Sequence, residues 1–338
     1  MTRTAAPRTR RTKTAIALAA AMALATTLGA CSAGSKDDKA AGPAAGGAGF
    51  PAKVATKFGE ITVDKKPQRV VALGWGDAET ALALGVQPVG ASDWLAFGGD
   101  GTGPWAKGLY TKSPEKIGTM EPEYEKIAAL KPDLILDTKS SGDQKRYDTL
   151  SKIAPTIGVP KGGDQYLTNW ETQTGMVADA LGLHDKGKEL VDGVEAKFKT
   201  AVAQHPEFQG KTVTAGSLTS VGYGAYVHGS GRVDFLERLG FKNNPKVDAK
   251  AGGSFFTEIS REELDLLDAD LMIMVPIGVP AAKAKDDALF KEIPVVKAGH
   301  DLVFEPESTL SSAFATDSVL SVSYALDQVV PEIAKALK

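Results

Sequence analysis

Glu125 and Glu262 are placed in a way that asks for a chemical explanation. The stretch from Glu125 to Leu136 is echoed by the stretch from Glu262 to Ile273 at a constant offset of 137 positions. Glu matches Glu, Ile127 matches Leu264, Leu130 matches Leu267 and Asp133 matches Asp270. Paired carboxylates suit general acid–base catalysis or metal ligation. The rest of the catalytic vocabulary is sparse, with no His-Glu-x-x-His, no Walker-type lysine loop and no Gly-x-Ser-x-Gly elbow. The four histidines, His184, His205, His228 and His300, are scattered. A transition-metal site needs three or four donors converging on one point, so none is expected here.

A second set of residues suits binding rather than turnover. Trp75 and Trp94 follow short apolar runs, and Trp105 and Tyr166 sit in neighbouring loops. Later in the chain Tyr223, Tyr226, His228 and Arg232 surround a glycine turn, and Phe255 and Phe256 follow Gly252-Gly253. Flat aromatic faces bury the apolar body of a large ligand, while one or two cations engage its oxygens. Ordinary packing is the plainer account of any single aromatic, and a solvated first-turn position that of Arg232. Taken together, they predict two facing rims of a cleft.

The elements that must position these groups read as alternating strands and helices. Strands are expected at Arg69–Leu73, Val86–Ala91, Asp133–Asp137 and Thr156–Val159, with helices at Asp77–Leu84 and Asp143–Ile153. Each copy of the repeat reads as a short helix, a tight turn and a buried strand. Between Phe97 and Tyr110 five glycines mark a flexible loop rimming a cleft. Leu190, Val194, Phe198, Ala201 and Val202 share one face of a helix over Asp185–Gln204, which contains no strand signal and stops before Pro206. It reads as a spine linking two lobes; an amphipathic partner-binding helix is the alternative. Beyond it, strands are expected at Thr212–Thr214, Tyr226–Val227, Leu271–Val275 and near Val295 and Val303. Helices are expected at Arg232–Leu239 and Thr316–Leu337, and Ser260 with Glu263 forms a capping box. Strands alternating with helices imply a mostly parallel sheet, and the pattern predicts an α/β fold.

The chain opens with a basic segment holding Arg3, Arg8, Arg10, Arg11 and Lys13, then an apolar run from Ala15 to Leu28. The run is shorter than the roughly 20 residues of a membrane span and suits the core of a secretory signal peptide. It ends at Leu28-Gly29-Ala30-Cys31, and Cys31 is the only cysteine. A lone cysteine cannot form an internal disulfide, and small residues before it resemble a lipobox, so Cys31 is expected to carry a lipid anchor. Residues 32–49, rich in Ala and Gly, read as a tether. About 285 patterned residues follow, more than one core usually holds, which favours two lobes. The expected organisation is a signal peptide at 1–30, a lipidated tether at 31–52, a first lobe at 53–183, a linking helix at 184–206 and a second lobe at 207–338. A formal net charge of −3 and the absence of a basic stripe argue against nucleic acid.

Four segments together resemble one family. They are Lys66-Pro67-Gln68-Arg69-Val70-Val71-Ala72-Leu73, then Pro122-Glu123-Tyr124-Glu125-Lys126-Ile127 through Leu130-Lys131-Pro132-Asp133-Leu134-Ile135, then Leu150-Ser151-Lys152-Ile153-Ala154-Pro155-Thr156, and Ile259-Ser260-Arg261-Glu262-Glu263-Leu264. In that order, behind a lipobox, they resemble the class III (siderophore and vitamin B12 type) substrate-binding proteins of ABC importers.

The resemblance implies two Rossmann-like lobes joined by one long helix, with little bending on ligand capture. It implies a ferric siderophore as ligand, iron entering only within that complex and no cofactor of the protein's own. It also implies that Glu125 and Glu262 each meet an arginine pocket on the permease dimer, and that the protein is a monomer on the outer face of the cell membrane. Solvated first-turn glutamates remain the plainer account of that pair. On separate lobes the two carboxylates would stand tens of ångströms apart, too far to share a substrate. The sequence departs from hydroxamate-binding members at Thr119, His228 and Ser230, where those members carry other residues, with Arg232 a substitute for the missing arginine. Two alternatives stay open: a haem or corrinoid binder with His228 or a tyrosine as axial ligand, and an exported siderophore hydrolase built on Ser217, Ser230 and His228.

Overall fold

The structure, a computed structural model, describes residues 49–252 and 254–338. The expected signal peptide, the expected lipid site at Cys31 and most of the expected tether lie outside the described residues.

A hairpin of β1 (Ala52–Thr56) and β2 (Gly59–Val63) leads into the first lobe. There β3 (Val70–Ala72), β4 (Gly90–Ser92), β5 (Glu115–Ile117), β6 (Leu134–Leu136) and β7 (Thr156–Ile157) form a parallel sheet in the order β5-β4-β3-β6-β7. Strands β3, β4 and β6 are buried at every position. That is why they read as short apolar runs without alternation. The helices of this half are α1 (Asp77–Ala83), α2 (Tyr124–Ala129), α3 (Gln144–Leu150) and α4 (Trp170–Ala180).

Helix α5 (His184–Gln204) follows, burying Val194, Phe198 and Ala201 on the expected face. The second sheet holds β8 (Thr212–Leu218), β9 (Tyr223–Tyr226), β10 (Lys242–Asn243), β11 (Phe256–Ile259), β12 (Leu271–Pro276) and β13 (Asp301–Val303). Its order is β11-β9-β8-β12-β13, with β10 beside the start of β8. Here β9 and β11 run antiparallel, so this sheet is mixed. The helices of this half are α6 (Gly231–Arg238), α7 (Pro245–Lys250), α8 (Ala282–Lys285), α9 (Ala288–Lys291), α10 (Pro294–Lys297), α11 (Thr309–Thr316) and α12 (Val319–Ala336). The fold is α/β, with two Rossmann-like lobes inside one compact unit, Ala45–Lys338.

Two expectations need correction. The strand expected near Val295 is α10: Pro294 stands at its first turn, where a missing N–H is harmless. The closing helix expected at Thr316–Leu337 is α12, which starts three residues later at Val319 and is preceded by a separate helix, α11. Asp317 adopts a left-handed φ of 51°, and the Ser318 side chain caps α12 by accepting from the Ser321 N–H.

The sequence echo corresponds to a shared structural device. In the first copy, the Asp133 carboxylate accepts from the backbone N–H groups of Gln68 and Arg69, both at 2.8 Å, just ahead of β3. In the second, the Asp270 carboxylate accepts from the N–H and hydroxyl of Thr212 at 2.7 and 2.8 Å, at the start of β8. Each copy's strand then pairs in parallel with the strand so anchored, β6 with β3 and β12 with β8. Helix α12 returns to pack on α5, α1 and α4.

Candidate ligand cleft

At the carboxyl end of β3 the chain makes a tight glycine turn. The Gly74 N–H donates to the Asp77 carboxylate at 3.0 Å, and the Trp75 N–H donates to the Lys139 carbonyl at 2.8 Å. A Cβ on Gly74 would meet the Asp77 side chain at 2.3 Å, and Gly76 adopts a left-handed φ of 88°, so both positions require glycine. The turn delivers Trp75 to the mouth of the sheet, where open α/β sheets bind ligands. Trp75 stacks on Trp94 with ring centres 5.6 Å apart, and Tyr166 meets Trp94 edge-on at 5.4 Å. The Trp94 indole N–H donates to the Leu73 carbonyl at 3.0 Å, fixing the stack.

The facing wall comes from the second lobe. Tyr226 ends β9, and the Arg232 guanidinium lies 4.3 Å above its ring. Trp75, Leu95, Tyr226, Arg232, Phe255 and Ile277 enclose, with others, a cavity of about 310 Å³ that draws on both lobes. A smaller cavity of about 70 Å³ continues from it toward Lys139, Tyr166 and Asp317. The Trp75 indole N–H and the Arg232 Nε are buried without a hydrogen-bond partner among the described residues. Buried donors are normally paired, so two unpaired donors lining one cavity, one from each lobe, mark a place suited to the acceptors of a guest.

Beneath the first rim lies a buried polar layer. Asp77 accepts from the Thr138 N–H at 3.0 Å and the Gln173 amide at 2.8 Å, and burial pushes its carboxyl up to about 6. Glu79 accepts from the Trp105 indole at 2.7 Å and from the Ser318 hydroxyl, and burial raises it too. Asp137 takes a two-pronged contact from Arg146 at 2.6 and 3.0 Å, while Arg146 also donates to the carbonyls of Thr119 and Met120. Lys139 reaches across to Asp317 at 2.6 Å, both side chains less than a tenth exposed. A Cβ on Gly231 would meet the Asp317 carboxylate at 2.5 Å, so α6 packs tightly against the Asp317 corner within the second lobe.

Six of the ten expected ligand-facing residues gather around the cleft: Trp75, Trp94, Tyr166, Tyr226, Arg232 and Phe255. Trp94 joins the rim by stacking on Trp75 without lining either cavity, and the other four lie away from both. Trp105 turns inward to Glu79 and packs against Phe97 and Tyr324. Tyr223 is three residues from Tyr226 and therefore on the opposite sheet face; its hydroxyl donates to Asp287 at 3.0 Å and its ring stacks on Phe290. Phe256, on the edge strand β11, covers Gly224 and meets Tyr226 edge-on. His228 is exposed, its ring 2.9 Å from Glu237. The Ser230 hydroxyl donates to the Val227 carbonyl, away from that ring. Among the described residues, no three His, Cys, Asp or Glu side chains converge as a metal site.

Sequence reasoning missed Leu95, Ile277 and the Lys139–Asp317 pair. Ile277 follows β12 directly, so the same strand-end rule that located Trp75 could have found it. Glu125 and Glu262 are both exposed, and neither forms an ion pair among the described residues. Among the described residues, no helix is long and apolar enough to cross a membrane.

Comparison with known proteins agrees with this geometry. Residues 70–300 match the family model described as periplasmic binding protein. The chain is 30% identical over 254 residues to a probable siderophore-binding lipoprotein, YfiY, of Bacillus subtilis (strain 168), covering 70% of this chain and 75% of that protein. It is 28% identical to the Fe(3+)-citrate-binding protein YfmC of the same organism, covering 71% and 74%. Its fold superposes with a TM-score of 0.73 on the crystal structure of PiaA from Streptococcus pneumoniae TIGR4 in complex with ferrichrome, at 28% identity, covering 84% of this chain and 98% of that one. The chain belongs to the periplasmic binding protein family.

Proposed function

We propose that the protein is an extracytoplasmic lipoprotein, anchored through Cys31, that captures a ferric siderophore between its lobes. It hands the complex to the permease dimer of an ABC importer, works as a monomer and performs no chemistry on its cargo. The observation that carries this reading is the cavity bounded by Trp75, Tyr226, Phe255 and Arg232, aromatic walls from two lobes with unpaired donors among them. The siderophore-binding and iron-complex-binding names of its relatives support the ligand class. The exposed Glu125 and Glu262, one on each repeat copy, are the contacts proposed for the permease. Trp75, Trp94 and Tyr166 form the first lobe's share of the site.

Titrating the purified protein with ferric siderophores, followed by tryptophan fluorescence and native mass spectrometry, tests the capture step. A saturable change and a one-to-one complex at micromolar concentration are expected. No response to any siderophore class would end the proposal. Glu125→Arg and Glu262→Arg should bind normally and fail in cellular uptake, and loss of binding in either would remove them from the docking role.

A further inference from the structure

Charge around the cleft is balanced, and this selects among ferric complexes. The ionisable side chains lining its two cavities are Lys139, Arg232, Asp317 and Glu307. Two cations and two anions sum to zero. Lys139 and Asp317 are held together at 2.6 Å, which leaves Arg232 as the cation available to a ligand. Arg146, a buried cation under the first rim, is committed to Asp137 and to two carbonyls. Glu307, exposed and lining the larger cavity, adds an anion beside the space a ligand would occupy.

Ferric complexes differ in charge by their chemistry. Three hydroxamates lose one proton each and cancel the ferric ion, giving a neutral complex. Three catecholates lose two protons each and leave an excess of three negative charges. Hydroxycarboxylate complexes are also anionic. A concentrated negative charge entering an aromatic-walled cavity loses its hydration and needs several cations in return. Arg232 alone, facing Glu307, does not supply them.

We infer that the cleft is specific for electroneutral ferric trihydroxamates and rejects anionic ferric complexes, with Arg232 the anchor on hydroxamate oxygens and Glu307 the excluding charge. This rests on the proposed siderophore reading and narrows it. The guanidinium is preorganised for that task, stacked over Tyr226, with the unpaired Trp75 indole N–H lining the same cavity from the first lobe. One charge-assisted hydrogen bond to a neutral ligand needs no balancing ion.

The test is a set of fluorescence and calorimetric titrations of the intact protein with three probes: ferrichrome, ferric enterobactin and ferric citrate. Ferrichrome should bind at least about 100-fold more tightly than either anion, as expected when buried like charge goes uncompensated. Arg232→Gln should weaken ferrichrome roughly 30-fold. Glu307→Lys should narrow the preference over ferric enterobactin by about tenfold, and more so at low salt. Tighter or equal binding of an anionic complex overturns the specificity while leaving the receptor reading standing. Failure of all three probes to bind overturns both. An unchanged preference in Glu307→Lys removes Glu307 from the discrimination and with it the charge-exclusion argument.

Discussion

The two lobes meet the cleft with opposite kinds of surface. The first lobe places charged side chains under its rim, and each is bonded within the protein: Asp77 to Thr138 and Gln173, Glu79 to Trp105 and Ser318, Asp137 to Arg146, Lys139 to Asp317. The second lobe offers Tyr226, Phe255 and the strand-end residues Val275 to Gly278, with Arg232 as its one cation on the cavity wall. The polar layer under the first rim holds Trp75 and the lobe junction in place, whereas the second rim is free to contact a guest. Polarity alone is therefore a poor guide to which residues of such a cleft touch ligand.

This contrast can be broken in several ways. Lys139→Met should have the largest effect, leaving Asp317 buried without its partner at a cost of about 3–5 kcal/mol in urea unfolding. Adding Asp317→Asn to it should recover most of the loss, because Asn tolerates the left-handed corner and carries no charge. Trp75→Ala should weaken ferric siderophore binding by about 2 kcal/mol in calorimetric titration, with a smaller effect on folding. Trp105→Phe should do the reverse: Glu79 loses a donor, folding weakens by about 1–2 kcal/mol, and ligand affinity stays within about twofold.

The smallest effect is a slope with pH. One guanidinium, Arg238, serves Glu171, Glu195 and Asp234, and burial holds the Glu171 carboxyl up at about 7, above its ordinary 4.5. A raised carboxyl means the folded state binds the proton more tightly. Its contribution to stability is therefore full below pH 4.5 and lost as pH rises through 7. In the second lobe, Arg261 holds Asp287 down at about 2, so that contribution is present above pH 3.8 and lost as pH falls toward 2. Stability should therefore rise on acidification from pH 7 to about 4.5 and fall again below about 4. Glu171→Gln should flatten the first limb and leave the second, as read from thermal melts across pH.

Sequence made the scaffold legible because apolar runs and repeated spacings survive without knowledge of contacts. The echo at 137 residues located two equivalent strands and, in Asp133 and Asp270, the side chains that anchor their neighbours, although the glutamates drew attention first. Half of the cleft was legible through strand-end aromatics. Two misplacements follow from strand geometry: Tyr223, three residues from Tyr226, is sent to the opposite face by alternation, and Phe256, on the edge strand β11, lies over Gly224. Asp77 and Glu79 look like solvated first-turn acids until the glycine turn and α12 bury them. Asp317 looks helical, yet its left-handed backbone ends one helix so that another can begin.

Helix α12 also bears on when this protein finishes folding. It follows both sheets in the chain, yet it covers α1 of the first lobe, and the Ser318 contact with Glu79 spans 239 residues. Contacts so distant in sequence close slowly. The first lobe can assemble its sheet early but must wait, with one flank bare, for a helix made after the whole second sheet. A chain cut short before residue 318 would hold every described strand and still present an open, aggregation-prone flank, which makes the docking of α12 a checkpoint on maturation.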